Sequence, residues 1–345
     1  MNRTDDTAIT MRRVGCFLQS VLRAVCTFSA INSVAVAHTF AAGPVAAANQ
    51  KVQVTRDIVY AMSGDLRLRC DVYNPAGVPN KDDANAEDTN PQAGAASATT
   101  PADEALRPVV VVIHGGAWSS GSKTMVGTYA NQLAQAGAVA VAIDYRHAPL
   151  HKFPAQVDDV RDALVWIKEN ADEWKIDTQR VGLFGYSAGG HLACMIATLV
   201  DEPHDVVATT TQWNADDQRW KKLPTVKAVV AGGPPCDLTT IPPKNTGLEF
   251  FLGGTRAQKP DVYAAASPIS FASAGDTPIC FIHGEKDFIV PIQSSRVLYD
   301  AQVACGVKSE FVTIEKQGHM FTFVHPKTGV ALREFMTRML DLSAD

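Results

Sequence analysis

One serine of the sequence lies in a pattern that can produce a nucleophile. Ser187 is the central residue of Gly-Tyr-Ser-Ala-Gly at positions 185–189, between an apolar run and a second apolar segment. A sharp turn from a strand to a helix exposes such a hydroxyl, and the helix N-terminus points free N–H groups at a developing anion. The motif alone is weak, because a glycine-rich turn before any helix can have the same letters. In this strand–turn–helix context it predicts a catalytic serine.

A carboxylate and an imidazole that could activate this serine follow later in the chain. Asp287 and His319 each come after a predicted strand, and catalytic groups of open α/β sheets gather at the carboxyl ends of the strands. The expected roles are nucleophile for Ser187, general base for His319 and orienting carboxylate for Asp287. Glu285 is an alternative acid in the same loop. Asp237 is interpreted as a helix N-cap, a position that favours aspartate.

A glycine-rich loop could stabilise the anion that an attack by serine creates. The letters His-Gly-Gly-Ala-Trp begin at position 114, directly after the first predicted central strand. We expect the backbone N–H groups of Gly115, Gly116 and Ala188 to form an oxyanion hole. Trp118 and Tyr186 are expected to contact the substrate. The alternative for this loop is an ordinary strand-to-loop turn, in which glycine is also common.

Buried strands and amphipathic helices alternate around these motifs. Val109–Ile113 is a continuous β-branched run, which is typical of a strand buried on both faces. Similar strands are predicted at 138–145, 180–185, 226–231, 278–284 and 308–314, and a hairpin at 51–60 and 66–73. Helices are predicted at 157–167, 188–200, 291–305 and 329–342. This order predicts the α/β class, with a mostly parallel central sheet and helices on both faces of one domain.

The composition excludes several classes of protein and of site. The 345 residues are 46% hydrophobic and 19% charged, with a net charge of −5. The chain is therefore too apolar for a mostly disordered protein and lacks the basic excess of a nucleic-acid binder. Its nine histidines show neither His-x-His nor His-Glu-x-x-His spacing, and its seven cysteines form no Cys-x-x-Cys pair. We expect no metal, no cofactor and no nucleic-acid partner.

Residues 1–37 have the pattern of a secretory signal peptide. Four arginines and only two acidic residues precede a short apolar stretch, and Ala-Val-Ala ends the segment, which is a typical cleavage pattern. The alternative, a membrane anchor over 14–37, would bury Arg23 at a cost of about 2.5–3.5 kcal/mol. We expect a secreted or periplasmic protein whose mature part, residues 38–345, has no stable membrane span.

The segment 77–107 differs in composition from the rest of the chain. It contains two basic and six acidic residues and no aromatic residue, so it cannot bury enough apolar surface to offset the entropy of ordering. We predict a disordered insertion in the single domain. An interaction arm is the alternative.

Other side chains near the motifs are expected to have structural roles. Five histidines are interpreted in this way: loop-fixing hydrogen bonds for His114 and His283, packing for His191, and surface positions for His147 and His151. The tryptophans of segment 201–225 are interpreted as ordinary packing residues. Stacking on a sugar or on an aromatic acyl group is the alternative for them.

Taken together, the motifs resemble those of the α/β-hydrolase family. The likeness is strongest to small carboxylesterases with an HGG-type oxyanion motif, a group that includes feruloyl-esterase-like and hormone-sensitive-lipase-like proteins. The matching segments, spread over residues 52–342, are 114–118, 144–146, 153–155, 185–191, 283–287 and 318–319. Position 117 is alanine where many relatives have a third glycine.

This resemblance implies an α/β-hydrolase fold and a secreted serine esterase without a cofactor. The enzyme would act through an acyl-enzyme on small-molecule or carbohydrate-linked esters, with acetyl and feruloyl esters as the expected substrates. An amide- or peptide-cleaving serine hydrolase is one alternative. A catalytically inactive binding module on the same fold is the other.

Overall fold

The computed structural model of the protein describes residues 52–75, 105–241 and 245–342, whose strands form one eight-stranded sheet. The strands are β1 (Gln53–Ser63), β2 (Leu66–Asn74), β3 (Arg107–Ile113), β4 (Val139–Ile143), β5 (Ile176–Tyr186), β6 (Val226–Gly232), β7 (Ile279–Gly284) and β8 (Glu310–Ile314). Their order is β1-β2-β4-β3-β5-β6-β7-β8. β2 is antiparallel to β1 and to β4, and all other neighbouring strands are parallel. The predicted hairpin and mostly parallel sheet are confirmed.

Alternate side chains of the central strands enter two separate apolar layers. Val109, Val111 and Ile113 of β3 join one cluster of buried residues, and Val110 and Val112 join the other. All five side chains are fully buried. A continuous β-branched run is therefore needed here, because both faces of the strand are covered by helices.

Helices cover both faces of the sheet, as predicted. The described α-helices are α1 (Gly127–Gln135), α2 (Ala155–Glu169), α3 (Ala188–Thr198), α4 (His204–Val207), α5 (Thr246–Leu252), α6 (Pro260–Ala265), α7 (Gln293–Ala304), α8 (His319–Val324) and α9 (Pro326–Leu340). α1 and α9 pack on the face of Val110, whereas α2, α3 and α7 pack on the face of Val111. Val157 and Leu164 lie on the buried stripe of α2, which confirms the helical period there.

The C-terminal boundary of the predicted insertion is wrong. Arg107 is the first residue of β3 and is buried. Its N–H donates to the carbonyl of Lys175 at 2.7 Å, and it pairs with Ile176 of β5. Backbone hydrogen bonds to neighbouring residues thus place Arg107 in the sheet, although composition alone groups it with the polar segment. Residues 77–104 of the predicted insertion lie outside the described residues.

The predicted signal peptide, residues 1–37, also lies outside the described residues. Within 52–75, 105–241 and 245–342, none of the helices combines the length and the apolarity needed to cross a bilayer.

Candidate active site

The parallel strands bring four sequence motifs to one edge of the sheet. β3, β5, β7 and β8 run in the same direction, so their carboxyl ends lie at the same edge. Gly115 and Gly116 follow β3, whereas Ser187, Asp287 and His319 follow β5, β7 and β8. The predicted nucleophile, acid, base and oxyanion loop therefore share this edge.

Ser187 occupies a strained turn between β5 and α3. Its φ is 56° and its ψ is −119°, in a region that residues other than glycine rarely adopt. Two backbone hydrogen bonds hold the turn. The N–H of Ser187 donates to the carbonyl of Gly232 at 2.6 Å, and the carbonyl of Ser187 accepts the N–H of His191 at 2.9 Å. The side chain is half-buried. The predicted strand–turn–helix context of the serine is thus confirmed.

The glycine loop after β3 lies against this turn. A Cβ atom added to Gly115 would lie 3.3 Å from Cβ of Ser187, and one added to Gly116 would lie 2.1 Å from the carbonyl oxygen of Ser120. Gly116 also has a φ of 121°, which favours glycine strongly. Ala188 is the first residue of α3, so its N–H has no partner within the helix. Gly115 and Ala188 thus adjoin Ser187, and the role of Gly115, Gly116 and Ala188 as an oxyanion hole stays a prediction.

His319 and Asp287 form a close acid–base pair. Nδ1 of His319 lies 2.5 Å from Oδ2 of Asp287, while Oδ1 accepts the N–H groups of Ile289 at 3.0 Å and Val290 at 2.9 Å. Burial by itself would raise the pKa of Asp287. Hydrogen bonds from His283, His319 and the Val290 N–H outweigh burial and hold that pKa well below its usual range. The carboxylate is therefore anionic, so His319 donates its Nδ1–H and keeps Nε2 as the basic atom.

The two alternative acids have other partners. Glu285 is exposed, and its Oε2 accepts the N–H of Lys316 at 2.7 Å. Oδ1 of Asp237 accepts the N–H and the hydroxyl of Thr239 at 2.9 and 2.6 Å, and residues 234–241 contain no helix. The predicted helix N-cap at Asp237 is wrong, because a short carboxylate satisfies the N–H groups of a turn equally well.

Tyr186 connects the serine turn to the segment of the base. Its hydroxyl donates to the carbonyl of His319 at 2.5 Å, and the two rings lie 5.2 Å apart. The side chain is 3% exposed, and the expected contact of Tyr186 with substrate stays a prediction. In the described structure, the hydroxyl of Ser187 makes no hydrogen bond to His319; catalytic bonds of this kind often shorten only when substrate binds.

Trp118 is likewise buried, and its expected contact with substrate stays a prediction. It is 5% exposed, and its ring stacks on Phe251 with the centroids 4.3 Å apart. Its Nε1–H donates to Nδ1 of His191 at 3.1 Å, and Nε2 of His191 lies 2.7 Å from the carbonyl of Ala266. Burial lowers the pKa of His191 to about 4, so the ring is neutral and Nε2 carries its proton. This chain of hydrogen bonds ties the glycine loop to α3 and confirms the packing role of His191.

The buried neutral His191 predicts a loss of stability in acid. Between pH 6.5 and about 4 the unfolded chain binds a proton that the folded protein rejects, so the free energy of unfolding falls across this window. A His191→Gln variant lacks this effect. Its stability deficit relative to wild type is expected to narrow by about 2 kcal/mol between about pH 7.5 and about pH 5. Urea titrations of both proteins at both pH values measure the difference in their free energies of unfolding. A difference that does not change with pH would contradict a neutral buried ring.

Backbone strain in the glycine loop predicts a stabilising substitution. Ala117 is exposed and has a φ of 51°, a left-handed conformation that glycine adopts without a steric penalty. Ala117→Gly is expected to raise the free energy of unfolding by roughly 0.5–1 kcal/mol, after the larger unfolded-state entropy of glycine is subtracted. Thermal melts test this. Gly116→Ala is the matched control and should destabilise; a destabilised Ala117→Gly would show that the loop is unstrained.

An aromatic cluster fixes the start of the glycine loop. Nδ1 of His114 bonds to the carbonyl of Gly115 at 2.7 Å, and the hydroxyl of Tyr145 donates to the carbonyl of His114 at 3.1 Å. The rings of His114 and Tyr145 stack 4.2 Å apart. The loop-fixing role of His114 is confirmed, and the sequence signals Tyr145 only through its place in the matching segment. His147 is half-buried, and its ring meets that of His114 edge to face with the centroids 5.7 Å apart. His151 is half-buried too, so both residues reach the expected surface only in part.

The tryptophans of segment 201–225 pack on each other. Trp213 is 7% exposed, and its ring meets that of Trp220 edge to face with the centroids 4.9 Å apart. The guanidinium of Arg219 lies 4.1 Å over the ring of Trp213. Ordinary packing is therefore the confirmed interpretation for Trp213. In the part of the chain that the structure describes, no cluster of three or more His, Cys, Asp or Glu side chains could hold a metal ion.

The chain is similar in sequence to known esterases. The BD-FAE family model matches residues 98–301. Esterase LipC of Mycobacterium tuberculosis (strain ATCC 25618 / H37Rv) is 31% identical over 197 residues, which are 55% of this chain and 46% of LipC. The chain spans about half the length of the curated relatives it matches.

Solved structures share the architecture. The bifunctional GH43-CE protein of Bacteroides eggerthii aligns with a TM-score of 0.66 and 27% identity over 83% of this chain and 35% of its own. A truncated carbohydrate esterase from gut microbiota aligns with a TM-score of 0.66 and 22% identity over 84% of this chain and 96% of its own. The expected α/β-hydrolase fold is thereby confirmed.

Proposed function

Since the chain belongs to the BD-FAE family of α/β-hydrolase esterases, we propose that it is a serine esterase that hydrolyses carboxylic esters. The observation that carries this proposal is the 2.5 Å contact between His319 and Asp287 at the sheet edge that also holds the strained Ser187. A neutral imidazole oriented by a buried anion is the base that a serine needs, because the hydroxyl is a poor nucleophile at its own pKa. The match to Esterase LipC supports the same activity.

The reaction proceeds through an acyl-enzyme in two halves. Oγ of Ser187 attacks the ester carbonyl while Nε2 of His319 takes its proton, and Asp287 stabilises the imidazolium that forms. The oxyanion accepts hydrogen bonds from Ala188 and from Gly115 or Gly116; one such donor contributes about 2.7–4 kcal/mol. The C–O bond then breaks, and the alcohol leaves with the proton from His319. Water, deprotonated by the same ring, attacks the acyl-enzyme and releases the carboxylic acid and the serine.

The proposed substrates are acetyl or feruloyl esters on carbohydrate. The support is the family match and the similarity to the bifunctional GH43-CE protein at 27% identity. Hydrolysis of acetylated xylan and methyl ferulate should be measured beside p-nitrophenyl acetate and its amide counterpart, p-nitroacetanilide. We expect turnover of the esters and no measurable turnover of the amide. Faster cleavage of the amide would identify an amidase, whereas folded protein with no turnover and no labelling by a fluorophosphonate would identify a binding module.

The proposed location is outside the cytoplasm, either secreted or periplasmic. The support is the pattern of residues 1–37, which ends in Ala-Val-Ala. N-terminal sequencing of the protein recovered from the medium or the periplasm is expected to begin at His38. Recovery only with an intact Met1 would contradict cleavage.

A further inference from the structure

A second buried histidine contacts the carboxylate that holds the base. Nε2 of His283, the penultimate residue of β7, lies 3.3 Å from Oδ2 of Asp287, and both side chains are fully buried. The same oxygen lies 2.5 Å from Nδ1 of His319. Nε2 of His283 also lies 2.8 Å from the carbonyl of Val290, and its Nδ1 lies 2.6 Å from Oγ of Ser295. The loop-fixing role expected of His283 is confirmed, and its contact with Asp287 goes beyond that role.

The hydrogen-bond partners of His283 require a proton on Nε2 and allow two states for Nδ1. The Val290 carbonyl and the Asp287 carboxylate can only accept, so Nε2 must be a donor. The hydroxyl of Ser295 lies 3.1 Å from the carbonyl of Pro234, which also can only accept. If Ser295 gives its single proton to Pro234, Nδ1 must donate as well, and His283 is an imidazolium. If Ser295 gives it to Nδ1, His283 is neutral, and Nε2 still carries a proton 2.8 Å (N···O) from the Val290 carbonyl and 3.3 Å (N···O) from the carboxylate.

We propose that His283 is a positioning residue that shares the Asp287 carboxylate with His319 and thereby makes His319 a weaker base than an unshared pair would. The inference rests on the proposed function and deepens it. A second donor on Oδ2 withdraws charge from the oxygen that stabilises the protonated form of His319. The neutral, catalytically competent form of the base is then retained at lower pH. Ester hydrolysis consequently extends further into the acid range.

Few other titratable groups face this pair in the described structure. Tyr186 of β5 packs on the His319 ring and donates its hydroxyl to the backbone of His319. Glu285, on the loop itself, is exposed and accepts the N–H of Lys316. Hydrogen bonds to His283 and His319 hold the pKa of Asp287 low against its burial. The remaining oxygen of Asp287 accepts two backbone N–H groups, so the carboxylate keeps its place when His283 is replaced.

Two substitutions at His283 distinguish the effect of its hydrogen-bond donor from the effect of its imidazole ring. His283→Leu removes the donor, whereas His283→Gln offers an amide N–H close to the position of Nε2. With histidine labelled for NMR, we expect the titration midpoint of His319 to move to higher pH by roughly 1 unit in His283→Leu, the size of a moderate buried electrostatic effect. The midpoint should move by less than half as much in His283→Gln. Measurement in the Ser187→Ala background makes this readout independent of any ester hydrolysis.

The pH profile of kcat/KM for p-nitrophenyl acetate, in protein with Ser187 intact, provides the functional readout. Its acid limb should shift upward with the NMR midpoint in His283→Leu and be largely restored in His283→Gln. The proposal is overturned if folded His283→Leu protein leaves the His319 midpoint unchanged or moves it downward, or if both variants shift it equally. Absence of turnover in the parent would refute the proposed esterase function and leave the NMR result to decide on His283.

Discussion

Replacement of Ser187 by alanine is expected to lower kcat for a short p-nitrophenyl ester by about 10⁶-fold, the size of the loss when a triad nucleophile is removed from a serine hydrolase. The substitution removes Oγ, and no other group then forms the acyl-enzyme. Turnover under substrate saturation and the mass shift after reaction with a fluorophosphonate measure the effect. Both signals should disappear together.

The fold should survive this change. The Ser187 hydroxyl makes no hydrogen bond to the residues that the structure describes, and the turn is held by its backbone, so the melting temperature should hardly move. Ser270→Ala is a matched control: this serine is exposed, and among the described residues its hydroxyl bonds only to the carbonyl of Ala264. It should retain both turnover and labelling. Near-wild-type turnover in Ser187→Ala would refute the assignment of the nucleophile.

Asp287→Asn is expected to lower kcat by about 10⁴-fold while the fold is preserved. The asparagine amide can turn its oxygen to the N–H groups of Ile289 and Val290, which now bond to Oδ1. Its NH₂ group then faces Nδ1 of His319. That nitrogen must accept, the ring proton moves to Nε2, and the base can no longer take the proton of Ser187. Steady-state kinetics and a melting curve of the variant measure both parts of the expectation.

Glu285→Gln is the matched control for the acid. The glutamine keeps an oxygen for the N–H of Lys316 and leaves the His319–Asp287 contact untouched. Its kcat should stay within about twofold of wild type, as is usual for surface substitutions away from a site. A large loss in Glu285→Gln combined with a small loss in Asp287→Asn would reverse the assignment of the acid.

The strands and the motifs at their ends could be predicted because each depends on residues that are neighbours in the sequence. The β-branched residues of Val109–Ile113 require cover on both faces, and the structure provides it. The glycines around Ser187 permit one kind of turn, and the parallel order of the strands then brings Asp287 and His319 to the same edge. Asp287 could be preferred over Glu285 only by its loop position, and its 2.5 Å contact with His319 supports that preference.

The direction of individual side chains could not be predicted. Trp118 and Tyr186 adjoin the motifs, yet each turns inward to a partner far away in the chain: His191 for Trp118 and the carbonyl of His319 for Tyr186. Nothing in the local sequence specifies such long-range pairs. Asp237 failed as a helix cap for a related reason, because an aspartate serves helices and turns alike and only the following backbone distinguishes them.

Asp287 uses its two oxygens in different directions, one toward the backbone of its own turn and the other toward the histidines. A carboxylate held in this way has no free rotation left about its side-chain bonds. The imidazole of His319 therefore takes its orientation from a carboxylate that the turn at residues 287–290 holds in place. The orientation of His319 is therefore fixed when the protein folds, and the enzyme does not have to reorganise the base in each catalytic cycle.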